Sequence, residues 1–209
     1  KKNKSLFIFF SSSEIYGNPD NNNLPTKESY YGNVNSFGPR SCYDEGKRVG
    51  ETLCYIYKEY YNTKVKIIRP FNVFGPTMNK NDDRVIPKFV RAIKNNKPIT
   101  VYSNGKQTRA FCYITDAMVG FLKVICTGKI GEVYNVGNDK EEVNMNDLSQ
   151  KLKKLFIKNV NIKKIKYPKI YPANEPLRRC PDLQKIKRDT NFIPFEKLES
   201  SLKKFIDNY

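Results

Sequence analysis

The sequence has no histidine and no tryptophan among its 209 residues. Without histidine the chain can form neither a Ser-His-Asp nor a Cys-His catalytic pair, and it lacks the commonest ligand of transition metals. Any general base must therefore be Tyr, Lys, Asp, Glu or a thiolate. The cysteines also lie far apart, without a C-x-x-C pair, at Cys42, Cys54, Cys112, Cys126 and Cys180. This spacing predicts neither a metal site nor a disulfide framework, and it favours a reducing, cytoplasmic location.

Two further absences concern membranes and nucleotides. No apolar run approaches the roughly 20 residues that a membrane-spanning helix needs, so we expect no membrane contact from this segment. The stretch from Lys2 to Phe10 ends in five apolar residues without a small-residue cleavage site, which predicts a strand and not a signal peptide. No G-x-G-x-x-G turn occurs, so nothing here is predicted to hold a pyrophosphate at the start of a dinucleotide fold.

Charge is the abundant feature, with a formal net value of +17. The lysines are spread along the whole chain, which indicates a solvated surface and predicts no nucleic-acid partner. The same positive field would attract an anionic substrate.

The order of apolar segments predicts an α/β fold. Leu6 to Phe10 is a continuous apolar run, typical of a strand buried on both faces of a parallel sheet. From Tyr43 the residues Val49, Leu53, Tyr57 and Tyr60 recur at helical spacing, and Val65 to Ile68 indicates the next strand. A strand, a helix and a strand in this order are typical of a parallel sheet.

The rest of the chain continues this pattern. Further strands are predicted at Ile99 to Tyr102, Ala110 to Ile114 and Val133 to Val136, and further helices at Arg84 to Asn95, Asp116 to Cys126, Asn144 to Phe156, Asp182 to Asp189 and Glu196 to Asn208. Asp116 is predicted to cap its helix, and Asn144 with Asp147 resembles a capping box.

Chemical groups concentrate between Ser11 and Lys47. Tyr43 and Lys47 lie one turn apart on the predicted helix, and a nearby ammonium lowers the pKa of a phenol enough for it to act as a base. Ser11 to Glu14 directly follow the carboxyl end of a strand, where open α/β sheets bind ligands. Arg40 could meet a carboxylate or a phosphate. The alternative is an interfacial tyrosine beside a surface lysine, with the serines forming a turn.

Several motifs together resemble one family. They are SSSEIYG, GNVN, GPRSCYDEGKRVGETLCY, IRPFNVFGP, PITVYSNGKQTRAFCYITD, VYNVGN and PLRRCPD, in family order over nearly the whole chain. The chain resembles the extended short-chain dehydrogenase/reductases of the NAD-dependent epimerase/dehydratase type, and within them the UDP-glucuronate decarboxylases.

The resemblance assigns roles to single residues. It implies that Tyr43 is the catalytic base, that Lys47 orients the nicotinamide ribose of NAD, and that Ser13 shares the proton of the sugar 4-hydroxyl. Glu14 and Arg179 would serve the decarboxylation. Ser11 would contact the cofactor, and the substrate site would contain Arg40, Asn72, Arg84, Tyr102, Gln107 and Arg109.

Some of these residues could instead serve the fold alone. Arg109 could pair with Asp116, Tyr102 could belong to the core, and Asn72 could form a turn. Arg179 follows a second arginine, so its role could belong to Arg178 instead.

The implied function is NAD-dependent decarboxylation of the UDP-sugar UDP-glucuronate to UDP-xylose, through a 4-keto intermediate. The alternatives are a nucleotide-sugar 4,6-dehydratase or 4-epimerase, and a catalytically dead binding module. Glu14 favours decarboxylation, since Ser-Glu resembles the decarboxylase pattern whereas dehydratases carry Asp-Glu at this place. Relatives of this type commonly form dimers through helices including the one with Tyr43, which implies a homodimer.

The resemblance also predicts the domain organisation. Residues 1–72 would be the C-terminal part of a Rossmann-type parallel sheet with the catalytic helix, and residues 73–209 mainly a smaller mixed α/β region for the nucleotide sugar. The family's glycine fingerprint precedes the segment corresponding to Leu6 to Phe10, so we expect this chain to be a fragment, inactive and poorly soluble alone. Departures from the family pattern are Thr77, Lys88 and Cys180.

Overall fold

The computed structural model describes residues 5–79, 81–156, 159–167 and 176–209. Residues 2–4 of the amino-terminal stretch therefore lie outside the described residues. The strands are β1 (Phe7–Phe10), β2 (Val65–Pro70), β3 (Val73–Phe74), β4 (Ile99–Tyr102), β5 (Thr108–Ala110), β6 (Cys112–Tyr113), β7 (Val133–Val136), β8 (Glu142–Asn144), β9 (Ile162–Ile165) and β10 (Arg178–Arg179). The helices are α1 (Ser41–Tyr61), α2 (Val85–Lys94), α3 (Ile114–Thr127), α4 (Met145–Phe156), α5 (Gln184–Thr190) and α6 (Leu198–Asp207), and a 3₁₀ turn spans Ser13–Tyr16.

A parallel sheet with the order β1-β2-β7 forms the first half of the structure. Phe7 of β1 lies opposite Val65 of β2, and Ile67 of β2 lies opposite Val133 of β7. Strand β2 is the middle strand, and it is buried from Val65 to Arg69 although its sequence includes Lys66 and Arg69. The parallel pairing confirms the predicted α/β class.

Strand β1 forms as predicted, but its burial on both faces was predicted wrongly. Phe7 and Phe10 are 52% and 43% exposed. The physical reason is its position, because β1 pairs with β2 on one side and with no other strand among the described residues. An apolar run marks a strand, but it does not show whether neighbours cover that strand.

Helix α1 crosses this sheet and leaves much of its apolar surface exposed. Gly50 lets the helix approach β1, because a Cβ there would lie 2.2 Å from the ring of Phe9. On its outer side Val49, Leu53 and Tyr57 are all about half exposed. The apolar spacing predicted the helix correctly. It did not show that these apolar side chains would remain half exposed.

A second region is built around α2, β4, α4 and α6. It contains the largest apolar core of the described residues. Strand β4 pairs in parallel with β9, while β5 lies between β10 and the antiparallel β8. The single strand predicted for Ala110 to Ile114 is wrong. The chain breaks at Phe111 into β5 and β6, because the two halves join different sheets.

Two predicted helix caps had different outcomes. Asn144 Oδ1 accepts a hydrogen bond from Asp147 N at 2.9 Å, which confirms the predicted capping arrangement at the start of α4. Asp116 does not cap α3, because the helix already begins at Ile114. Its carboxylate instead accepts hydrogen bonds from the backbone nitrogens of Phe195 and Glu196, at 3.0 and 3.1 Å, and so fixes the chain leading into α6.

A buried polar network joins the 3₁₀ turn to the parallel sheet. Arg69 of β2 pairs with Glu51 of α1 through Nε and Nη2, at 2.8 and 2.5 Å. Its Nη1 donates to Tyr16 Oη at 2.6 Å, and Tyr16 Oη donates to Asn135 Oδ1 of β7 at 2.7 Å. Burial raises the pKa of Tyr16 well above its ordinary value, so the phenol stays protonated. The network therefore holds the turn, both strands and the helix in one arrangement.

Within the described ranges, no helix is both long enough and apolar enough to cross a bilayer. Those ranges also contain no cluster of ligating side chains suited to a metal ion.

The Tyr16 network can be tested by removing one hydroxyl. Tyr16→Phe leaves a buried guanidinium and a buried amide each short of one partner, so the free energy of unfolding should fall by about 1–3 kcal/mol. Urea denaturation measures this change. Tyr60→Phe is the matched control, since that side chain is 78% exposed and should lose less than about 0.5 kcal/mol. Equal stability of the two variants would contradict a structural role for the network.

Candidate active site

A cavity of about 650 Å³ lies between the parallel sheet and the second region. The segments that follow β1 and β2 form one wall, through Ser11 to Glu14 and through Asn72. The first turn of α2 and strands β4 and β5 form the other side. This is the carboxyl edge of the parallel strands, where open α/β sheets bind their ligands.

All of the predicted site residues except Lys47 line this cavity. They are Ser11, Ser13, Glu14, Arg40, Tyr43, Asn72, Arg84, Tyr102, Gln107, Arg109 and Arg179. They come from both regions of the fold, so the motifs meet in space although they are dispersed along the chain.

Glu14 lies between two arginines in this cavity. One carboxylate oxygen accepts a short hydrogen bond from Arg40 Nη2, and the other accepts one from Arg179 Nη1. Burial favours a raised pKa for Glu14, but the charge and hydrogen bond of Arg179, with the charges of Arg40 and Arg109, hold that pKa below its ordinary value. The Glu14 side chain is therefore ionised at neutral pH and joins three separate parts of the chain.

The two adjacent arginines of β10 have different roles. Arg178 points away from the cavity and binds Glu142, with Nε to Oε1 at 2.8 Å and Nη2 to Oε2 at 2.8 Å. Arg179 is buried in the cavity wall, and its Nη2 has no hydrogen-bond partner among the described residues. The geometry therefore favours Arg179 over its neighbour as the arginine that meets a ligand.

Tyr43 and Lys47 lie on one side of α1, as their spacing predicts. Tyr43 is 48% exposed at the cavity, and Lys47 Nζ lies 5.8 Å from the centroid of its ring. The ammonium donates to the carbonyl oxygen of Phe10 at 2.9 Å, at the end of β1. Lys47 therefore lies beside the ring of Tyr43 and is anchored outside the cavity lining.

Three other predicted residues contact the chain around the cavity. Asn72 has a φ of +42°, and its Nδ2 donates to Ala110 O at 3.0 Å, so it forms a turn and also lines the site. Arg84 binds Asp82, with Nη2 to Oδ2 at 2.6 Å. Arg109 is buried and faces the cavity, while Asp116 holds the backbone elsewhere, so the alternative pairing of Arg109 with Asp116 is wrong.

Tyr102 lines the far end of the cavity together with Lys88 and Gln107. Lys88 Nζ donates to Tyr102 Oη at 2.5 Å and lies 4.4 Å from the centroid of that ring. Tyr102 therefore does not belong to the apolar core. In the sequence, Lys88 was notable only as a departure from the family pattern. Its contact with Tyr102 could not be predicted from the sequence and is visible only in the folded structure.

The sequence did not single out Asp44, which is buried beside the Glu14 cluster. Its Oδ1 lies 3.8 Å from Arg40 Nη2. Burial raises the pKa of Asp44, and attraction to Arg40 offsets only part of that rise. The spacing of Arg40 and Asp44, four residues apart at the start of a helix, is the signal that could have identified this pair.

Unpaired buried groups concentrate at this site. Among the described residues, the buried side-chain atoms without a hydrogen bond are Ser11 Oγ, Asp44 Oδ1 and Arg179 Nη2. Such groups carry a free-energy cost, which a ligand or ordered water at a functional site offsets. Two of these residues line the cavity, which marks it as a binding site.

Comparisons with known proteins identify relatives of this chain. The model of the NAD dependent epimerase/dehydratase family matches residues 1–137. The chain is 36% identical over 209 residues to UDP-glucuronic acid decarboxylase 1 of Danio rerio, covering 100% of this chain and 48% of that protein. It is 37% identical over 202 residues to UDP-glucuronic acid decarboxylase 6 of Arabidopsis thaliana, covering 97% and 57%. The chain thus spans about half the length of the curated relatives it matches.

A solved structure shares the fold. The chain superposes with a TM-score of 0.83 and 29% identity on a UDP-glucuronic acid 4-epimerase from Bacillus cereus, covering 98% of this chain and 61% of that one. That epimerase was solved in complex with UDP-glucuronic acid and NAD.

The charge cluster makes a prediction for stability against pH. Because the folded-state pKa of Glu14 is depressed, its stabilisation is present above its ordinary pKa of 4.5 and is lost as pH falls through the folded value. Glu14→Gln should therefore lower the free energy of unfolding by up to about 3 kcal/mol at pH 7, since two arginines lose their counter-charge. The difference from the wild type should shrink towards pH 3.

Urea denaturation over this pH range provides the measurement. Glu45→Gln is the control, because Glu45 has the same charge as Glu14. Glu45 lies on α1, and its ion pair with Arg48 is longer, at 3.4 Å, and partly exposed. A Glu14→Gln deficit that stays constant from pH 7 to pH 3 would show that its ionisation does not stabilise the fold.

Proposed function

The chain belongs to the NAD dependent epimerase/dehydratase family, and on that basis we propose that its protein decarboxylates UDP-glucuronate to UDP-xylose with NAD as cofactor. The observation that carries this proposal is the position of Arg179. It binds Glu14 through Nη1, and its buried Nη2 has no partner among the described residues in the cavity that also holds Ser13 and Tyr43. A planar guanidinium of this kind suits a carboxylate.

Relatives support the choice of substrate and reaction. Two curated relatives named UDP-glucuronic acid decarboxylase match over essentially all of this chain. The superposed epimerase structure contains UDP-glucuronic acid, which supports a uronate as the sugar.

The residues present fit one end of the cofactor. Tyr43 lies at the cavity, Lys47 brings an ammonium to the carboxyl end of β1, and Ser11 offers a buried hydroxyl without a partner in the described ranges. These three residues would hold the nicotinamide and its ribose. The sequence contains no G-x-G-x-x-G turn to hold the pyrophosphate.

NAD+, when bound, supplies the acceptor for the hydride of carbon 4 and returns that hydride at the end of the cycle. Tyr43 removes the proton of the 4-hydroxyl, with the charge of Lys47 stabilising the phenolate. Ser13, buried beside Glu14, hydrogen-bonds the same sugar oxygen. The sugar then carries a ketone at carbon 4, which is beta to its carboxylate.

The ketone makes loss of carbon dioxide possible. The bond from carbon 5 to the carboxylate breaks, and its electron pair enters an enolate whose charge Arg179 stabilises. Carbon 5 then takes up a proton from water, which the ionised carboxylate of Glu14 would orient as a hydrogen-bond acceptor. The nucleotide would bind at the other end, where Arg84, Asn72 and Arg109 line the cavity and Arg109 suits the diphosphate.

A second candidate is 4-epimerisation of the same uronate, which the superposed epimerase favours. It would use Tyr43 and Ser13 and would leave the carboxylate in place. Arg179 favours decarboxylation, because its Nη2, unpartnered within the described residues, can stabilise the enolate that forms in that reaction and not in epimerisation.

We also propose a homodimer. The exposed apolar side of α1, with Val49, Leu53 and Tyr57, supports this association, since water-facing apolar patches commonly mark protein contacts.

The reaction is tested by a carbon label. The full-length protein that contains this chain, incubated with NAD+ and UDP-glucuronate carrying ¹³C in its carboxyl group, should release labelled carbon dioxide and form UDP-xylose, as measured by NMR. Tyr43→Phe should lower this rate by about 100-fold or more, since the base is lost. Conversion to UDP-galacturonate with retention of the label would support the epimerase, and absence of either product would contradict both enzymatic candidates.

The carboxylate site is tested by binding alone. Arg179→Met should weaken UDP-glucuronate by about tenfold to a hundredfold and leave UDP-glucose nearly unchanged, because only the uronate makes a charge-assisted hydrogen bond. Isothermal titration calorimetry compares the two ligands. Arg178→Met is the matched control, since Arg178 binds Glu142 outside the cavity. If Arg179→Met weakened the binding of UDP-glucuronate and UDP-glucose equally, the uronate carboxylate would have to bind a residue other than Arg179.

A further inference from the structure

Asp44 is a buried carboxylate that the proposed reaction does not use. It lies in the first turn of α1, directly after Tyr43, and is 8% exposed. Its Oδ1 accepts no hydrogen bond within the described ranges, and the 3.8 Å to Arg40 Nη2 exceeds hydrogen-bond distance. A buried carboxylate oxygen without a hydrogen bond costs free energy, so its presence beside the cavity indicates a role in the site.

Asp44 belongs to a four-charge cluster with Arg40, Glu14 and Arg179. Arg40 Nη2 contacts both carboxylates, and Arg179 binds the other oxygen of Glu14. Burial raises the pKa of Asp44 from 3.8, but the charges of Arg40 and Arg179 oppose this rise and so favour its ionised form. In that form Asp44 brings the cluster to zero net charge, because two carboxylates then face two guanidinium groups.

Two charges outside the cluster also act on it. The charge of Arg109 acts on Glu14, and that of Glu45 acts on Asp44. In the proposed binding mode the diphosphate meets Arg109, and Glu45 already pairs with Arg48 at 3.4 Å. Both outer charges thus have partners of their own, and the balance within the cluster depends on Asp44.

A balanced cluster binds an added carboxylate mainly through hydrogen bonds. Arg179 Nη2, which has no partner among the described residues, can donate such a bond. Without the charge of Asp44, the cluster would carry one net positive charge and attract a uronate more strongly. In the proposed reaction this carboxylate loses its charge as carbon dioxide leaves. Stronger binding of the ground state alone would therefore raise the barrier to that step.

We propose that Asp44 balances the charge of Arg40 and thereby limits how tightly the site binds the carboxylate of the uronate. This inference rests on the proposed function and deepens it, because it adds the residue that sets the affinity for the reacting group. Arg179 would then recognise the uronate, while Asp44 would prevent its carboxylate from being held too strongly to leave.

The experiment compares UDP-glucuronate with UDP-glucose, which lacks the carboxylate. The full-length protein that contains this chain is used with Tyr43→Phe as the reference, so that the substrate is not consumed. Calorimetric titration gives both dissociation constants. Adding Asp44→Asn should tighten the binding of UDP-glucuronate by about threefold to tenfold and leave UDP-glucose nearly unchanged. A residue that only supports the fold would instead weaken both ligands when replaced.

Glu45→Gln in the same reference protein is the matched control. It removes the same charge from the next position of α1, where the side chain is partly exposed and lies outside the cavity lining. Both dissociation constants should stay within about twofold of the reference values, because exposed charges are screened by solvent. Tightening of UDP-glucuronate by Glu45→Gln as large as that by Asp44→Asn would show a general charge effect and contradict the inference.

The remaining outcomes separate this inference from the proposed function. UDP-glucuronate binding that is unchanged or weaker in Asp44→Asn would overturn the inference, and equal tightening of both ligands would assign the effect to the diphosphate. If thermal melting shows that Asp44→Asn is unfolded, Asp44→Ala removes the same charge and is judged by the same criteria. A reference protein without preference for UDP-glucuronate over UDP-glucose would overturn the proposed substrate and the inference together.

Discussion

The carboxylate of Glu14 is the interaction on which the site depends. Its two arginine partners lie 26 and 165 positions away in the chain, one at the start of α1 and the other in β10. Two guanidinium groups would repel each other across this cavity, and the buried carboxylate between them removes that repulsion. Asp44 Oδ1 lies 3.8 Å from the same Nη2 of Arg40 that binds Glu14. The site is thus assembled by charge, and its parts cannot move independently.

A second network fixes where Glu14 lies. The 3₁₀ turn that holds Ser13 and Glu14 ends at Tyr16, whose hydroxyl joins Arg69 of β2 to Asn135 of β7. Because both strands belong to the parallel sheet, the turn has a fixed position relative to the sheet's carboxyl edge. A polar network that is satisfied throughout is rigid, and rigidity here keeps the serine and the glutamate beside Tyr43. The buried network around Tyr16 therefore fixes the positions of Ser13 and Glu14 in the cavity.

The sequence predicted the six helices of the described residues, the strands β1, β2, β4 and β7, the α4 cap and eleven of the residues that line the cavity, since these depend on local spacing and on motifs that resemble a family. The apolar pattern alone did not predict that Phe7 and Phe10 of β1 are exposed, because it marks an apolar face but not what covers that face. The break at Phe111 depends on which sheet each half joins, and that is decided by distant strands. The contact of Lys88 with Tyr102, and that of Glu14 with Arg179, depend on folding, which brings these residues together. Contacts between residues distant in the chain are therefore the part of this site that local pattern cannot supply.

The formal charge of +17 says little about how many cations can bind a ligand. Arg40, Arg84 and Arg178 are already paired with carboxylates of the chain, so their charge is largely neutralised locally. Arg179 is different, because one of its nitrogens holds Glu14 while another has no partner within the described residues. A substrate carboxylate could thus bind Arg179 without displacing Glu14. In the proposed reaction, Glu14 would then stay in place while the carboxylate leaves, because the same arginine would hold both groups through different nitrogens.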